Sequence, residues 1–255
     1  MASAVGRPLA VPPEERDSLA IRLYEASCAG DLYRISLLLS LGASPDVGIL
    51  VKGLYESFKP AKNGHLCALA GAATHGQLEA AKLLISLGAQ VNPIANQSSS
   101  APLHQACHSN DIEMARLLLL NGADVNASNR YKSSPLMYAV KYGSSALVGL
   151  ILSYYPKLET PSFMDTTAVH WAVFNGRPEA LAALLRAGAN PDARMADEST
   201  PLHAAALNGA TGMAGILTSF GANVGLSDGQ GRTPLEVAIT NRRRSIVELL
   251  NGVQV

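Results

Sequence analysis

Apolar residues return along this chain at helical spacing, in short stretches with a polar residue before them and a glycine after. Leu32, Ile35, Leu38 and Leu39 line one face of a predicted helix that Asp31 is placed to cap. Ile112, Met114, Leu117 and Leu118 repeat the arrangement behind Asp111, and Gly122 supplies a left-handed exit. Ahead of the apolar helices stands a recurring phrase that opens a shorter helix. Its copies are Ala101-Pro102-Leu103-His104-Gln105-Ala106, Ser134-Pro135-Leu136-Met137-Tyr138-Ala139, Thr167-Ala168-Val169-His170-Trp171-Ala172, Thr200-Pro201-Leu202-His203-Ala204-Ala205 and Thr233-Pro234-Leu235-Glu236-Val237-Ala238. They start at 101, 134, 167, 200 and 233, so the step is 33 residues every time. Behind the apolar helices comes Gly-Ala, as in Gly122-Ala123, Gly188-Ala189 and Gly221-Ala222.

A 33-residue step carrying Thr-Pro-Leu-His-x-Ala resembles the ankyrin repeat, one β-turn finger followed by two antiparallel helices. The resemblance implies an all-α fold, an ankyrin-repeat solenoid of helix-turn-helix units with short β-turn fingers. Seven units are expected, starting near 21, 67, 101, 134, 167, 200 and 233, within one array over 18–255. Residues 1–17 hold three prolines and no apolar period, and are expected as a flexible N-terminal arm. The second unit starts 46 residues after the first, which leaves 13 extra residues as an insertion at 47–63. Its stretch from Ile49 to Phe58 is too apolar for a solvated loop. It reads either as a short helix packed on the first unit or as a flap over the groove. The fourth unit has Tyr155-Pro156 in place of Gly-Ala, which predicts that the chain leaves its second helix at a changed angle. Arg242, Arg243 and Arg244 suit a solvated C-terminal cap better than a phosphate contact.

Charge narrows the choice of partner. Twenty basic residues face twenty acidic ones, so no basic excess supports binding to nucleic acid. The first eight residues lack the apolar core of a secretory signal, and the longest apolar runs are too short to span a membrane. Cys28, Cys67 and Cys107 form no metal or disulfide spacing and read as reduced packing residues. A monomeric protein of the cytoplasm, and of the nucleus as well, is expected. Neither a cofactor nor a metal is expected.

By the same resemblance, a concave groove is lined by positions one, three and four before the first phrase residue and four, seven and eight after it. In the third and sixth units these positions are mostly small or polar. In the fourth they hold Arg130, Tyr131, Tyr138, Lys141 and Tyr142, and in the fifth Phe163, Met164, Trp171 and Phe174. The chain has one Trp, eight Tyr and four Phe, and six of these rings fall on groove positions of this pair of units. Tyr138 and Trp171, which are only partly exposed at their place in the phrase, could instead pack between helices. The expected function is a non-catalytic module that binds another protein through this patch. The alternative is a groove for a small apolar ligand, roofed by the 47–63 insertion, with His75 and His108 as an acid–base pair. His104, His170 and His203 sit at the phrase's own histidine, whose implied role is to bond the finger backbone.

Overall fold

The computed structural model describes residues 13–47, 49–50, 65–93 and 100–252. Fourteen α-helices in these residues form seven pairs. They are α1 (Pro13–Ala29) with α2 (Leu32–Ser40), α3 (Ala68–Thr74) with α4 (Leu78–Ser86), and α5 (Pro102–His108) with α6 (Ile112–Leu120). Then come α7 (Pro135–Tyr142) with α8 (Ser145–Leu152), α9 (Ala168–Phe174) with α10 (Pro178–Arg186), α11 (Pro201–Asn208) with α12 (Thr211–Ser219), and α13 (Pro234–Thr240) with α14 (Arg244–Gly252). Five of the helices that open a pair or close one begin at a proline from the phrase or, in α10, at Pro178. Proline suits a first helical position because the N–H it lacks would have no partner there.

The chain divides into two compact units, Met1–Pro102 and Leu103–Val255. In the first, α1 packs on α2 and α3 around the fully buried Leu23, Ile35, Leu69 and Leu84. The contact of α1 with α3 is close because Gly71 has no side chain. A Cβ there would stand 2.8 Å from the Tyr24 ring and 2.9 Å from Cys28 Sγ. The helix α1 starts at Pro13, inside the stretch expected as an arm, since a proline at the first position opens a helix rather than preventing one. The strand β1 (Ile49–Leu50), within the insertion, pairs antiparallel with β2 (His65–Leu66), which follows it. The helix or flap expected between them lies outside the described residues.

In the second unit α7, α9, α11 and α13 form one layer and α6, α8, α10, α12 and α14 the other. Leu103, Met114, Leu118, Leu136, Leu147, Ile151 and Leu181 are sealed between them. Side chains of this kind stabilise by about 1.5–3 kcal/mol each on burial. Neighbouring repeats are also tied by bonds that recur with the period. The carbonyls of Tyr131, Met164 and Asp197 accept from the N–H groups of Phe163, Ala196 and Gly229 in the next finger, at 2.9–3.2 Å. Further out, Asn126, Glu159 and Asp192 accept from Lys157, Asn190 and Asn223, each 31 positions on. In the first unit Asp46 does the same for Gln90 across 44 positions, longer by the number of residues inserted.

The fourth repeat does not leave its second helix differently. Tyr155 takes the left-handed conformation (φ 52°) that glycines hold elsewhere, and its N–H bonds Leu152 O at 3.0 Å as Gly122 bonds Leu119 O at 3.1 Å. Pro156 cannot supply the next bond, which Ala123 makes to Leu118 O at 2.9 Å. The bond between Asn126 and Lys157 still holds the finger in place, so one hydrogen bond is lost and the path is kept. At the C-terminal end the three arginines are exposed, and Arg243 Nε donates to Leu207 O of the preceding repeat at 3.1 Å.

The phrase histidines are buried, and His104 and His203 join a helix to the next finger, whereas His170 Nε2 is buried without a partner. His104 Nε2 donates to Ser133 O and His203 Nε2 to Arg232 O, both at 2.9 Å. On the other side of the ring, Nδ1 of His203 meets Thr200 Oγ1 at 2.8 Å and Nδ1 of His170 meets Thr167 Oγ1 at 3.1 Å. The phrase of the third unit begins with Ala101 and offers no hydroxyl, and His104 Nδ1 is buried without a partner. Ala101→Thr is therefore expected to stabilise the chain by about 1 kcal/mol, read as a higher urea midpoint at constant slope. Burial also holds His104 and His170 well below their ordinary value of 6.5, at about 4. Between these limits the unfolded chain takes up protons that the folded chain excludes. Stability is thus complete above pH 6.5 and is lost on acidification, by up to about 1.4 kcal/mol per pH unit for each histidine. Urea melts at pH 7 and pH 5 measure this, and equal midpoints would contradict it.

Candidate functional site

The second unit holds a groove of about 600 Å³ between the fourth, fifth and sixth fingers and the helices α7 and α9. Helical spacing gathers its floor. Tyr138 and Tyr142 stand one turn apart on α7, and Lys141 lies beside them. Trp171 and Phe174 stand one turn apart on α9, and Trp171 is a full repeat beyond Tyr138. The fingers add Tyr131, Phe163 and Met164 at the rim, and Phe163 is 72% exposed. Eight of the nine residues singled out from the sequence thus line one groove. The ninth, Arg130, is not in the lining, but its guanidinium lies over the Tyr131 ring, 4.4 Å from the centroid, and donates to the Tyr131 hydroxyl.

Two lining residues, Ser162 and Met195, fall outside the positions the resemblance supplied. They occupy equivalent places one repeat apart, and the same place holds Asn129 in the fourth finger and Asp228 in the seventh. Asn129 Oδ1 accepts from the N–H groups of Tyr131 and Ser133 at 2.9 and 3.1 Å, and Asp228 Oδ1 from Gln230 and Arg232, both at 2.9 Å. Such a side chain shapes the finger from inside. In the fifth finger Ser162 is too short for that work. Its Oγ instead accepts from Trp171 Nε1 at 3.2 Å and donates to Thr166 O at 3.0 Å. In the sixth, the Met195 side chain enlarges the apolar wall. The period locates both positions, and the loss of Asn or Asp there is the legible signal.

The fifth finger also carries backbone strain. Lys132, Asp165, Glu198 and Gly231 share a left-handed seat in successive fingers, but Met164 (φ 60°, ψ 29°) is left-handed in addition. Left-handed backbone costs roughly 1–2 kcal/mol for a residue with a Cβ. Such outliers concentrate where a side chain is held for use.

Charge in the lining is one-sided. Lys141 is its sole cation, and no Asp or Glu lines it among the described residues. The Lys141 ammonium stands 4.8 Å from the Tyr142 ring and 5.4 Å from the Trp171 ring, within reach of their negative faces. His108 stacks against Tyr142 with centroids 4.3 Å apart, and burial followed by Lys141 lowers its pKa. His75 belongs to the first compact unit, where Nδ1 meets Gly71 O at 3.0 Å. No group of three or more His, Cys, Asp or Glu suited to a metal occurs among the described residues. No helix among them is long and apolar enough to cross a membrane. Burial pushes the thiols of Cys28, Cys67 and Cys107 up, that of Cys28 to about 11, which leaves them unreactive.

A family model described as ankyrin repeats (3 copies) matches residues 23–129, 69–163, 103–195 and 169–255. The chain belongs to the ankyrin repeat family. It is 28% identical over 182 residues to palmitoyltransferase ZDHHC13 of Mus musculus, a match over 58% of this chain and 29% of that protein. With human ankyrin repeat and SOCS box protein 16 it shares 31% identity over 217 residues, 66% of this chain and 45% of the other. The ankyrin repeat domain of human ASB11 superposes with a TM-score of 0.72 at 26% identity, over 91% of this chain and 99% of that domain. The chain therefore spans less than half the length of either protein matched by sequence.

Relief of the strain at Met164 is measurable. Met164→Gly is expected to raise stability by about 1 kcal/mol, because glycine takes a left-handed conformation freely. A lower urea midpoint in that variant would show that the side chain contributes more to the fold than its backbone costs.

Proposed function

We propose that this chain binds a partner protein through the groove of its fourth and fifth repeats and carries out no chemistry of its own. Ankyrin repeats mediate protein–protein interaction, and the proposal assigns that role to a particular surface here. One observation supports it above the rest: Tyr131, Tyr142, Phe163, Met164 and Phe174 are all exposed, and all border one concavity. Apolar side chains scattered singly over a surface are ordinary, whereas a contiguous patch invites association. Aromatic rings with few rotatable bonds also lose little conformational freedom on contact, which is why they dominate binding hot spots. Trp171 and Tyr138 are held by their own hydrogen bonds, to Ser162 and Asn129, so the floor of the groove is set before a partner arrives.

Affinity capture from a native extract, with wild type beside a Tyr142→Ala, Phe163→Ala and Phe174→Ala triple variant, tests the assignment. All three side chains are exposed, so the melting temperature should move by no more than a few degrees. A protein retained by wild type and lost from the triple variant is the expected result. Trp171 is the one tryptophan of the chain, so its emission reports directly on this groove and should shift when the partner is added. Equal capture by both forms would remove the groove from the interface. Retention of a small molecule and no protein would replace the proposal with the ligand-binding alternative.

A further inference from the structure

We infer that the segment seated in this groove is acidic as well as apolar: a stretch of partner chain in which Leu, Phe or Trp has Asp or Glu within a few positions. The inference rests on the reading of the groove as a protein-binding surface and gives that partner its chemistry.

Two cations at this groove lie against aromatic ring faces. Arg130 lies on the face of Tyr131, and Lys141 lies between the rings of Tyr142 and Trp171. Ring faces position a cation without neutralising it. Neither residue takes part in an ion pair among the described residues, whereas Arg34, Lys82, Arg116, Arg194 and Arg232 each have a carboxylate three or four positions away. The lining offers Lys141 no carboxylate, and Asp165, in the same finger as Phe163 and Met164, is not part of it.

A partner that covers the rings also removes water from Lys141. An ammonium stripped of water with no anion beside it opposes binding. A carboxylate from the partner reverses that term and gains a charge-assisted hydrogen bond in surroundings of low polarity. The apolar part of the same segment meets Phe163, Met164 and Phe174, which stand exposed beside the cations. A basic or methylated-ammonium segment is disfavoured, because Lys141 already occupies the space between Tyr142 and Trp171 and would repel it. A neutral apolar segment would bury the ammonium unpaired.

The full chain is to be used to select from a phage-displayed library of random peptides. Fluorescein-labelled peptides built on the selected core, with Glu, Gln or Lys at the flanking positions, are then compared by fluorescence polarisation. Selected sequences should pair Leu, Phe or Trp with Asp or Glu, and the Glu form should bind about tenfold more tightly than the Gln form at low salt. Lys141→Gln should erase that difference with an unchanged circular dichroism melt, and Lys141→Arg should preserve it. A library that enriches Lys or Arg, a Gln form equal to the Glu form, or a preference that survives Lys141→Gln would each overturn the inference. So would a library that enriches nothing. The triple alanine variant separates the two readings. Peptides lost from it but indifferent to charge would defeat the acidic assignment alone, and peptides that bind it as well as wild type would defeat the groove itself.

Discussion

Each repeat of this chain is incomplete without the next, and the bond that shows this best runs from a buried histidine to a neighbouring backbone carbonyl. His104 and His203 reach Ser133 O and Arg232 O across the same 29 positions. An imidazole sealed between helices must find partners for its nitrogens, since a buried polar atom left alone costs more than its bond returns. The next finger is the partner, so the histidine fixes where that finger lies on the helices. The backbone bonds from Phe163 to Tyr131 and from Ala196 to Met164 then hold the fingers to one another. The groove of the fourth, fifth and sixth fingers is built on these finger-to-finger bonds.

The groove arises where the chain relaxes its own rules while the backbone bonds between fingers are kept. The fifth and sixth fingers exchange the Asn or Asp that shapes a finger for Ser162 and Met195, and both side chains turn to the groove instead. Met164 takes a backbone conformation that its Cβ opposes. Large rings appear on α7 and α9 at positions where the flanking repeats carry mostly small or polar residues. The coincidence of these changes within three consecutive units is what distinguishes this stretch from drift spread along an array.

The fourth repeat shows how strongly the stack constrains its members. Tyr155-Pro156 deprives the helix exit of its glycine and of one N–H, and the sequence alone pointed to an altered path. Bonds from the adjacent repeats hold the finger where the period requires, and Tyr155 accepts a left-handed backbone instead. A local preference worth a kilocalorie or two yields to several tertiary bonds acting together.

The period, the paired helices, the exits at Gly122 and Gly188, and most of the residues that share the groove were legible in the sequence. Each depends on spacing along one chain, and a helix or a 33-residue step converts spacing into position directly. Arg130 illustrates the limit of that conversion, since its place in the repeat did not show that its guanidinium would fold back on Tyr131. Nor did the phrase histidines show which of them would lack a partner for Nδ1. The path through Tyr155, the ammonium of Lys141 between two rings and the turn of Ser162 towards Trp171 were decided by the tertiary structure alone. These depend on where side chains from different repeats meet, and that is set by distances across the stack which no pattern along the chain contains.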